Sequence, residues 1–183
     1  MRRKDREMGK EFGLKVIDKA PYGVLSMVDN KEPYGIPLSL VRDGNTLYFH
    51  GAMAGRKVDM LKKNPRVSVT FVGETKVPEI YTNEELDELI QDEVKAATLI
   101  SKVFTTEFES VVVTGTVKAV EDEEEKVKAL RLVCEKYTPT KMAYFPVAIK
   151  AGLKRTKVYA MEIDELTAKR KKFDASGKEL KLG

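Results

Sequence analysis

Alternating hydrophobic and polar positions, rich in β-branched and aromatic residues, dominate the chain after residue 20. Three runs have this character, Tyr22 to Val28, Tyr34 to Val41 and Thr46 to His50, and each predicts a strand. The connections between them, Asn30 to Pro33 and Asp43 to Asn45, are short and have turn composition. The pattern therefore predicts three antiparallel neighbours, a β-meander.

Further strands follow, and one proline restricts where the second strand can lie. The later runs are Val67–Val72, Leu99–Thr105, Ser110–Val120 and Lys157–Ile163. Pro37 lies inside the second strand and has no N–H for a ladder, so it predicts an edge or bulged position. Six or seven strands linked mostly by short turns indicate a small antiparallel barrel with helical additions.

Helical periodicity and capping patterns predict the remaining elements. Met8, Phe12 and Val16 recur at i, i+4 spacing and predict a first helix that ends before Ala20. Further helices are predicted at Gly55–Lys63, from the capping box Thr82–Glu85 through Ile90, from Asp122 and Glu125 through Tyr137, and near Phe145–Lys150. We expect one domain over 1–167, with an acidic helical insertion at about 74–98 and a mobile basic tail at 168–183.

The net charge of +4 comes from the two ends of the chain. Residues 1–10 contain five basic and two acidic residues, and residues 168–183 contain six and two, so the body is slightly acidic. Basic ends of this kind are typical of solvated tails, and nucleic acid is not an expected partner. The acidic segment, residues 74–93, has eight acidic residues against one basic. It fits a solvated insertion or a dimer flange better than an active-site lid.

The absence of long apolar runs and of paired cysteines indicates the cellular setting that we expect. No apolar run approaches the ~20 residues of a membrane span, so no membrane association is expected. Cys134 is the only cysteine, which excludes an internal disulfide and favours a reducing, cytoplasmic setting. His50 is the only histidine, and no metal site is predicted.

The stretch from Tyr48 to Val58 contains the most informative chemistry. A strand ends, Gly51 and Gly55 permit a tight path, and a helix begins with Arg56 and Lys57 in its first turn. Cations at a helix N-terminus oppose the helix dipole unless an anion lies there, so the pair indicates a phosphate or carboxylate ligand, with two solvated cations as the alternative. The stretch is not a P-loop, because only three residues separate the glycines and Val58 replaces the Ser or Thr.

Several motifs, in order, resemble the pyridoxamine 5'-phosphate oxidase superfamily. Three of the motifs resemble the FMN-binding half of that superfamily: Ile36-Pro37-Leu38-Ser39, Tyr48-Phe49-His50-Gly51 and Gly55-Arg56-Lys57. Four segments resemble the nitroimidazole-resistance branch more closely: Pro21–Ser26, Leu47–His50, Ser101–Ser110 and Glu135–Pro139. The chain has no Trp, and its C-terminal region lacks the Arg-x-Arg-like segment that holds the substrate in true pyridoxamine phosphate oxidases. This departure argues against oxidation of pyridoxamine phosphate.

The resemblance implies a mainly β, antiparallel split β-barrel (the FMN-binding split barrel) with flanking helices, forming a homodimer with two shared flavin sites. It implies that the strand at 36–39 lies along the flavin edge, that Arg56 and Lys57 bind the FMN phosphate, and that the partner subunit supplies the strand with Phe108 and Ser110. The cofactor-binding set is then Ile36, Pro37, Leu38, Ser39, Phe49, His50, Gly51, Arg56, Lys57, Phe108 and Ser110.

Two functions remain open at this point. One is an FMN-dependent oxidoreductase that takes electrons from a small-molecule donor and reduces a small acceptor such as a nitroaromatic. The other is a non-catalytic flavin or haem carrier of the same fold. His50 is the catalytic candidate, as a proton donor near the flavin, and the alternative is that it only packs at the strand end.

Overall fold

The computed structural model describes residues 2–29, 31–97, 99–174 and 176–181. Its strands are β1 (Glu7–Met8), β2 (Gly23–Asp29), β3 (Glu32–Leu38), β4 (Val41–Asp43), β5 (Thr46–Gly51), β6 (Arg66–Lys76), β7 (Glu107–Ala119) and β8 (Lys157–Lys171). Its α-helices are α1 (Lys10–Lys19), α2 (Arg56–Lys63), α3 (Asn83–Leu89), α4 (Glu93–Ala96), α5 (Leu99–Lys102), α6 (Glu123–Tyr137) and α7 (Phe145–Gly152). None of these helices combines the length and the apolar character that a membrane span requires.

The strands form one antiparallel sheet that curls but does not close. The order is β3-β2-β6-β7-β8-β5-β4, and β1 pairs separately with β8. The two edge strands, β3 and β4, follow one another in the chain yet share no ladder. The sheet is therefore a split barrel with helices around it, as the sequence predicted. β3 is an edge strand, which confirms the position inferred from Pro37.

The predicted meander is wrong in its second strand. The run Tyr34 to Val41 divides at Ser39 and Leu40, so that β3 pairs with β2 whereas β4 pairs with β5. α6 holds this corner, because the Tyr137 hydroxyl accepts from Leu40 N (3.1 Å) and donates to Leu40 O (2.8 Å), and Lys136 Nζ donates to the same carbonyl (3.1 Å). Side chains replace the ladder partners that a continuous strand would have.

Two hydrophobic cores lie on either side of the sheet. The larger core fills the barrel with buried residues of β2, β5, β6, β7 and β8, and α1 and α2 add Val16, Ile17, Met60 and Leu61 to it. The smaller core lies between α6, α7 and the outer side of β4, β5 and β8. Tyr48 joins this second core and donates to Glu125 of α6 (2.9 Å). The second core therefore fixes α6, and with it the corner at Leu40.

Two further boundaries differ from the sequence predictions. The predicted strand Leu99–Thr105 contains the helix α5 instead, and Ile100 and Phe104 are 75% and 77% exposed, without a facing strand to bury them. The last strand does not end at Ile163 but continues to Lys171, because β7 supplies partners along that length.

The C-terminal residues, predicted as a mobile basic tail, begin inside this strand. Residues 168–171 belong to β8, and Phe173 bridges to Glu179. Arg6 also pairs with Glu179, at 2.5 Å. The capping predictions are confirmed, since Thr82 and Glu85 form a complete capping box and the Asp122 side chain caps α6.

Candidate functional site

The N-terminus of α2 is open to an anion. Gly55 precedes the helix with a φ of 122°, a conformation that favours glycine, and no side chain caps the helix. The first-turn N–H groups therefore lack intrahelical partners and carry the positive end of the helix dipole. Arg56 and Lys57 stand in that same turn and add two cationic side chains. The arrangement has the features from which the sequence predicts a phosphate or carboxylate ligand.

The Lys57 side chain folds back over the end of β5. Its amino group donates to His50 O at 3.3 Å and lies 5.6 Å from the centre of the Phe49 ring. It also occupies the space in which a Cβ on Gly51 would stand, so a side chain at position 51 would displace the end of Lys57. Burial lowers the pKa of Lys57. A half-buried cation without a carboxylate is costly to desolvate, and a bound anion would offset that cost.

Arg56 joins the helix to the edge strand β3. Its guanidinium carbon is 4.3 Å from the centre of the Tyr34 ring, and the side chain is exposed on its other side. The structure thus brings two distant sequence motifs together, because Tyr34 begins the stretch that runs through Ile36 to Ser39. At about 3.3 Å per residue that stretch is roughly 16 Å long, comparable with an extended FMN molecule.

The predicted flavin-edge residues lie on an open edge. Ile36 and Leu38 are half-buried against the barrel core, whereas Pro37 and Ser39 are exposed. β3 pairs with β2 on one side only, so its other side presents backbone groups without ladder partners. A flat heterocycle with donors and acceptors along one edge fits such a strand. The residues present are therefore compatible with a phosphorylated flavin.

His50 is the penultimate residue of β5 and lies beside this site. The residue is partly exposed, and no hydrogen bond from its ring to another described residue is found. Burial by neighbouring atoms lowers its pKa, and the Lys57 cation lowers it further. Both effects disfavour the imidazolium, and an anion bound beside Lys57 would offset the second of them.

Phe108 and Ser110 do not join this site within one chain. They lie near the start of β7, opposite Lys171 and Lys169 of β8, whereas Phe49 lies opposite Tyr159. Twelve residues of β8 separate the register of Phe108 from that of Phe49, and ten separate that of Ser110, which is roughly 33–40 Å of strand. The sequence resemblance implies that a second copy would supply Phe108 and Ser110 to this site.

Sequence reasoning missed one cation and one structural role. Lys157 lies directly across from Gly51 at the start of β8, and only the register of β5 with β8 could show this. Tyr137, in the motif Glu135–Pro139, holds the corner after β3 rather than contacting the α2 site. Within the described ranges, no group of three or more His, Cys, Asp or Glu side chains converges as a metal site would require.

Comparison with solved structures supports the same architecture. A candidate 5-nitroimidazole antibiotic resistance protein from Bacteroides thetaiotaomicron VPI-5482 is 24% identical, with a TM-score of 0.67 over 90% of this chain and 86% of that one. The flavocytochrome Anf3 from Azotobacter vinelandii is 21% identical, with a TM-score of 0.68 over 94% and 70%. An FAD and haem binding protein from Mycobacterium smegmatis is 16% identical, with a TM-score of 0.69 over 91% and 73%. These similarities show a shared fold.

Family membership comes from the sequence itself. No curated protein matches the chain significantly. The family described as pyridoxamine 5'-phosphate oxidase matches residues 13–170, a span that includes β2 to β7, nearly all of β8, and the α2 site. The chain belongs to the pyridoxamine 5'-phosphate oxidase family.

Proposed function

We propose that this protein is an FMN-binding flavoprotein that reduces a small acceptor such as a nitroaromatic. The observation that carries the proposal is the convergence of the uncapped α2 N-terminus, Arg56 and Lys57 beside the open edge of β3. Bound FMN would supply the electron transfer. The chain would supply the phosphate site and the backbone edge that orients the ring.

The names of similar structures favour a flavin over other phosphorylated ligands. One similar protein is a flavocytochrome, one binds FAD and haem, and another, from Mesorhizobium loti, is FAD-binding. One of these names also includes haem, and one includes cytochrome. A flavin or haem carrier without turnover is therefore the second candidate function for this chain.

His50 is the proposed proton donor to the reduced acceptor. It stands one residue before Gly51, at the strand end where Lys57 donates to its carbonyl. Because its pKa is lowered, the ring is mostly neutral at pH 7 and donates as the imidazolium only at lower pH. A bound phosphate beside Lys57 would raise the pKa of His50 toward its ordinary value, which links cofactor binding to proton supply.

We further propose a homodimer in which each copy covers the other's flavin. The outer face of β2, β6, β7 and β8 carries a row of small uncharged side chains that the register places side by side: Val24, Thr70, Val112 and Thr167. The buried residues of α1 and α2 pack in the barrel core on the opposite side of the sheet, and Val72 and Val112 are 43% and 38% exposed. Phe108 and Ser110 have the same strand parity as Val112 and share the face. A second copy would bury it and bring these residues to the other site.

The absorption spectrum of the purified protein tests the cofactor assignment. Bands near 375 and 450 nm, an expectation from flavin chemistry, support the proposal, and an intense Soret band supports the haem candidate. If the protein is isolated without cofactor, titration with FMN, FAD and riboflavin replaces the spectrum. Binding that requires the phosphate supports the site, and failure of all three flavins to bind refutes it. Turnover of a model nitroaromatic by the flavin-loaded protein then separates the enzyme from the carrier.

A further inference from the structure

Two exposed surfaces of opposite charge remain outside the proposed cofactor site. The first is the β6–β7 connection, residues 77–106, which contains α3, α4 and α5 and has seven acidic against two basic residues. Its large apolar side chains are unusually exposed: Val77 65%, Ile90 54%, Val94 82%, Ile100 75% and Phe104 77%. A connection that exposes this much apolar surface among carboxylates is typical of an interaction surface.

The second surface is the α6–β8 connection, residues 138–156. It contains α7 and has four basic residues, Lys141, Lys150, Lys154 and Arg155, and no acidic residue. None of the four forms an ion pair with any carboxylate in the described part of the chain. Tyr144 and Val147 are 69% and 73% exposed on the same connection. The two connections are therefore opposite in charge, and both expose apolar side chains.

These two surfaces cannot meet within one chain. The β6–β7 connection enters β7 at Glu107, which lies at the Lys171 end of β8. The α6–β8 connection enters β8 at Lys157, near the register of Ala119 with Tyr159. The long β7–β8 pair holds the two connections at opposite ends, about 40 Å apart.

A two-fold axis perpendicular to β7 and β8 removes this separation. Such an axis reverses the strand direction, so the β6–β7 connection of one copy lies beside the α6–β8 connection of the other, twice in each dimer. The uncharged row through Val112 and Thr167 lies between the two ends and is the face proposed above for the dimer. The same operation carries Phe108 toward the partner's α2 site.

We infer that the β6–β7 connection of one copy docks on the α6–β8 connection of a second copy, closing both ends of the dimer around the flavin sites. The inference rests on the proposed homodimer. The occupant is a second copy of this chain because an acidic and a basic surface, each with exposed apolar side chains, occur at the two ends that a two-fold axis exchanges. Complementary charge stabilises such contacts and sets their orientation.

A charge-exchange experiment tests the docking. Asp87→Lys with Glu88→Lys reverses the last turn of α3, where cations also suit the helix dipole, and Lys150→Glu with Lys154→Glu reverses the other surface. Each double variant is expected to raise the dimer dissociation constant, measured by sedimentation equilibrium, by about tenfold or more. The two combined are expected to restore it to within about threefold of the original value.

A matched control and a second measurement keep the test independent of folding. Glu121→Lys with Glu135→Lys makes the same charge change on exposed positions of another region and is expected to leave dimerisation unchanged. On the unmodified protein, carbodiimide coupling of mixed isotope-labelled and unlabelled chains is expected to join connection carboxylates to Lys141, Lys150 or Lys154 between chains.

A monomeric protein, absence of such crosslinks, or weakening that the combined variant does not reverse would overturn the inference. Flavin binding is measured separately by titration. A dimer that follows the charge exchange but binds no flavin would leave the docking intact and refute the proposed function. A dimer that binds flavin, but whose dissociation constant does not respond to the charge exchange, would refute the docking and leave the proposed function intact.

Discussion

Replacing Lys57 by methionine removes one charge from the phosphate site and leaves nearly the same volume. The amino group lies against Gly51 and donates to His50 O at 3.3 Å, so it is already positioned before any ligand binds. Burial lowers the pKa of Lys57, which means that the cation is disfavoured in the empty fold. We therefore expect the variant apoprotein to be at least as stable as the original.

The magnitude follows from the interaction that is lost. A charge-assisted hydrogen bond to a phosphate contributes about 1.5–3 kcal/mol. Since about 1.4 kcal/mol corresponds to a tenfold change, the FMN dissociation constant should rise roughly 10- to 150-fold. Riboflavin has no phosphate, so its affinity should change little. The cation also lowers the pKa of His50, and the substitution should therefore raise the pKa of this histidine.

Fluorescence titration with FMN and riboflavin gives both affinities, and the single histidine gives one resolved imidazole signal for an NMR titration. Lys62→Met is the matched control, because Lys62 is an exposed cation in the last turn of the same helix and should affect neither ligand. Equal weakening of FMN and riboflavin would refute the phosphate contact. An unchanged pKa of His50 would refute the electrostatic coupling.

Three further predictions concern the neighbouring residue and the scaffold. His50→Gln should preserve FMN binding and lower the single-turnover rate of nitroaromatic reduction by about 10²–10⁴-fold, and the original protein should react faster as the pH falls through the lowered pKa of His50; matching rates would remove His50 from catalysis. Gly115→Ala should reduce the free energy of unfolding by about 2–4 kcal/mol in urea denaturation, because its Cβ would strike a backbone carbonyl of β8 at a register shift, whereas Gly152→Ala meets open space and should cost nothing. Burial and Glu125 raise the pKa of Tyr48 to about 12, so the neutral phenol stabilises the fold and this contribution should fall between pH 10 and about 12; Tyr48→Phe should abolish that part of the pH dependence, and an unchanged pH profile would contradict it.

Local signals in the sequence determined most of the elements and the centre of the site. The capping box at Thr82 and the N-cap at Asp122 each depend on residues three positions apart, so the sequence contains the whole interaction. The anion site is similarly local, because Gly55, Arg56 and Lys57 are consecutive and a helix N-terminus attracts anions wherever it occurs. Pro37 predicted an edge strand because its missing N–H is a property of the residue.

Only the tertiary structure decided where the chain leaves one edge of the sheet for the other. The run Tyr34 to Val41 has the composition of one strand, but Tyr137, far along the sequence, satisfies the backbone of Leu40 and allows the break. The extension of β8 to Lys171 depends in the same way on the length of β7. Strand register is set by partners that hydrophobic alternation cannot identify.

The contact of Tyr34 with Arg56 and the pairing of Gly51 with Lys157 also depend on the tertiary fold. Each pair joins segments from different strands and helices, so no spacing in the sequence encodes it. The reverse holds for Phe108 and Ser110, which the motifs associate with the flavin site but the register places roughly 33–40 Å from Phe49 along β8. Interactions between sequence neighbours could therefore be predicted from the sequence, whereas interactions that depend on the strand order could be identified only in the folded structure.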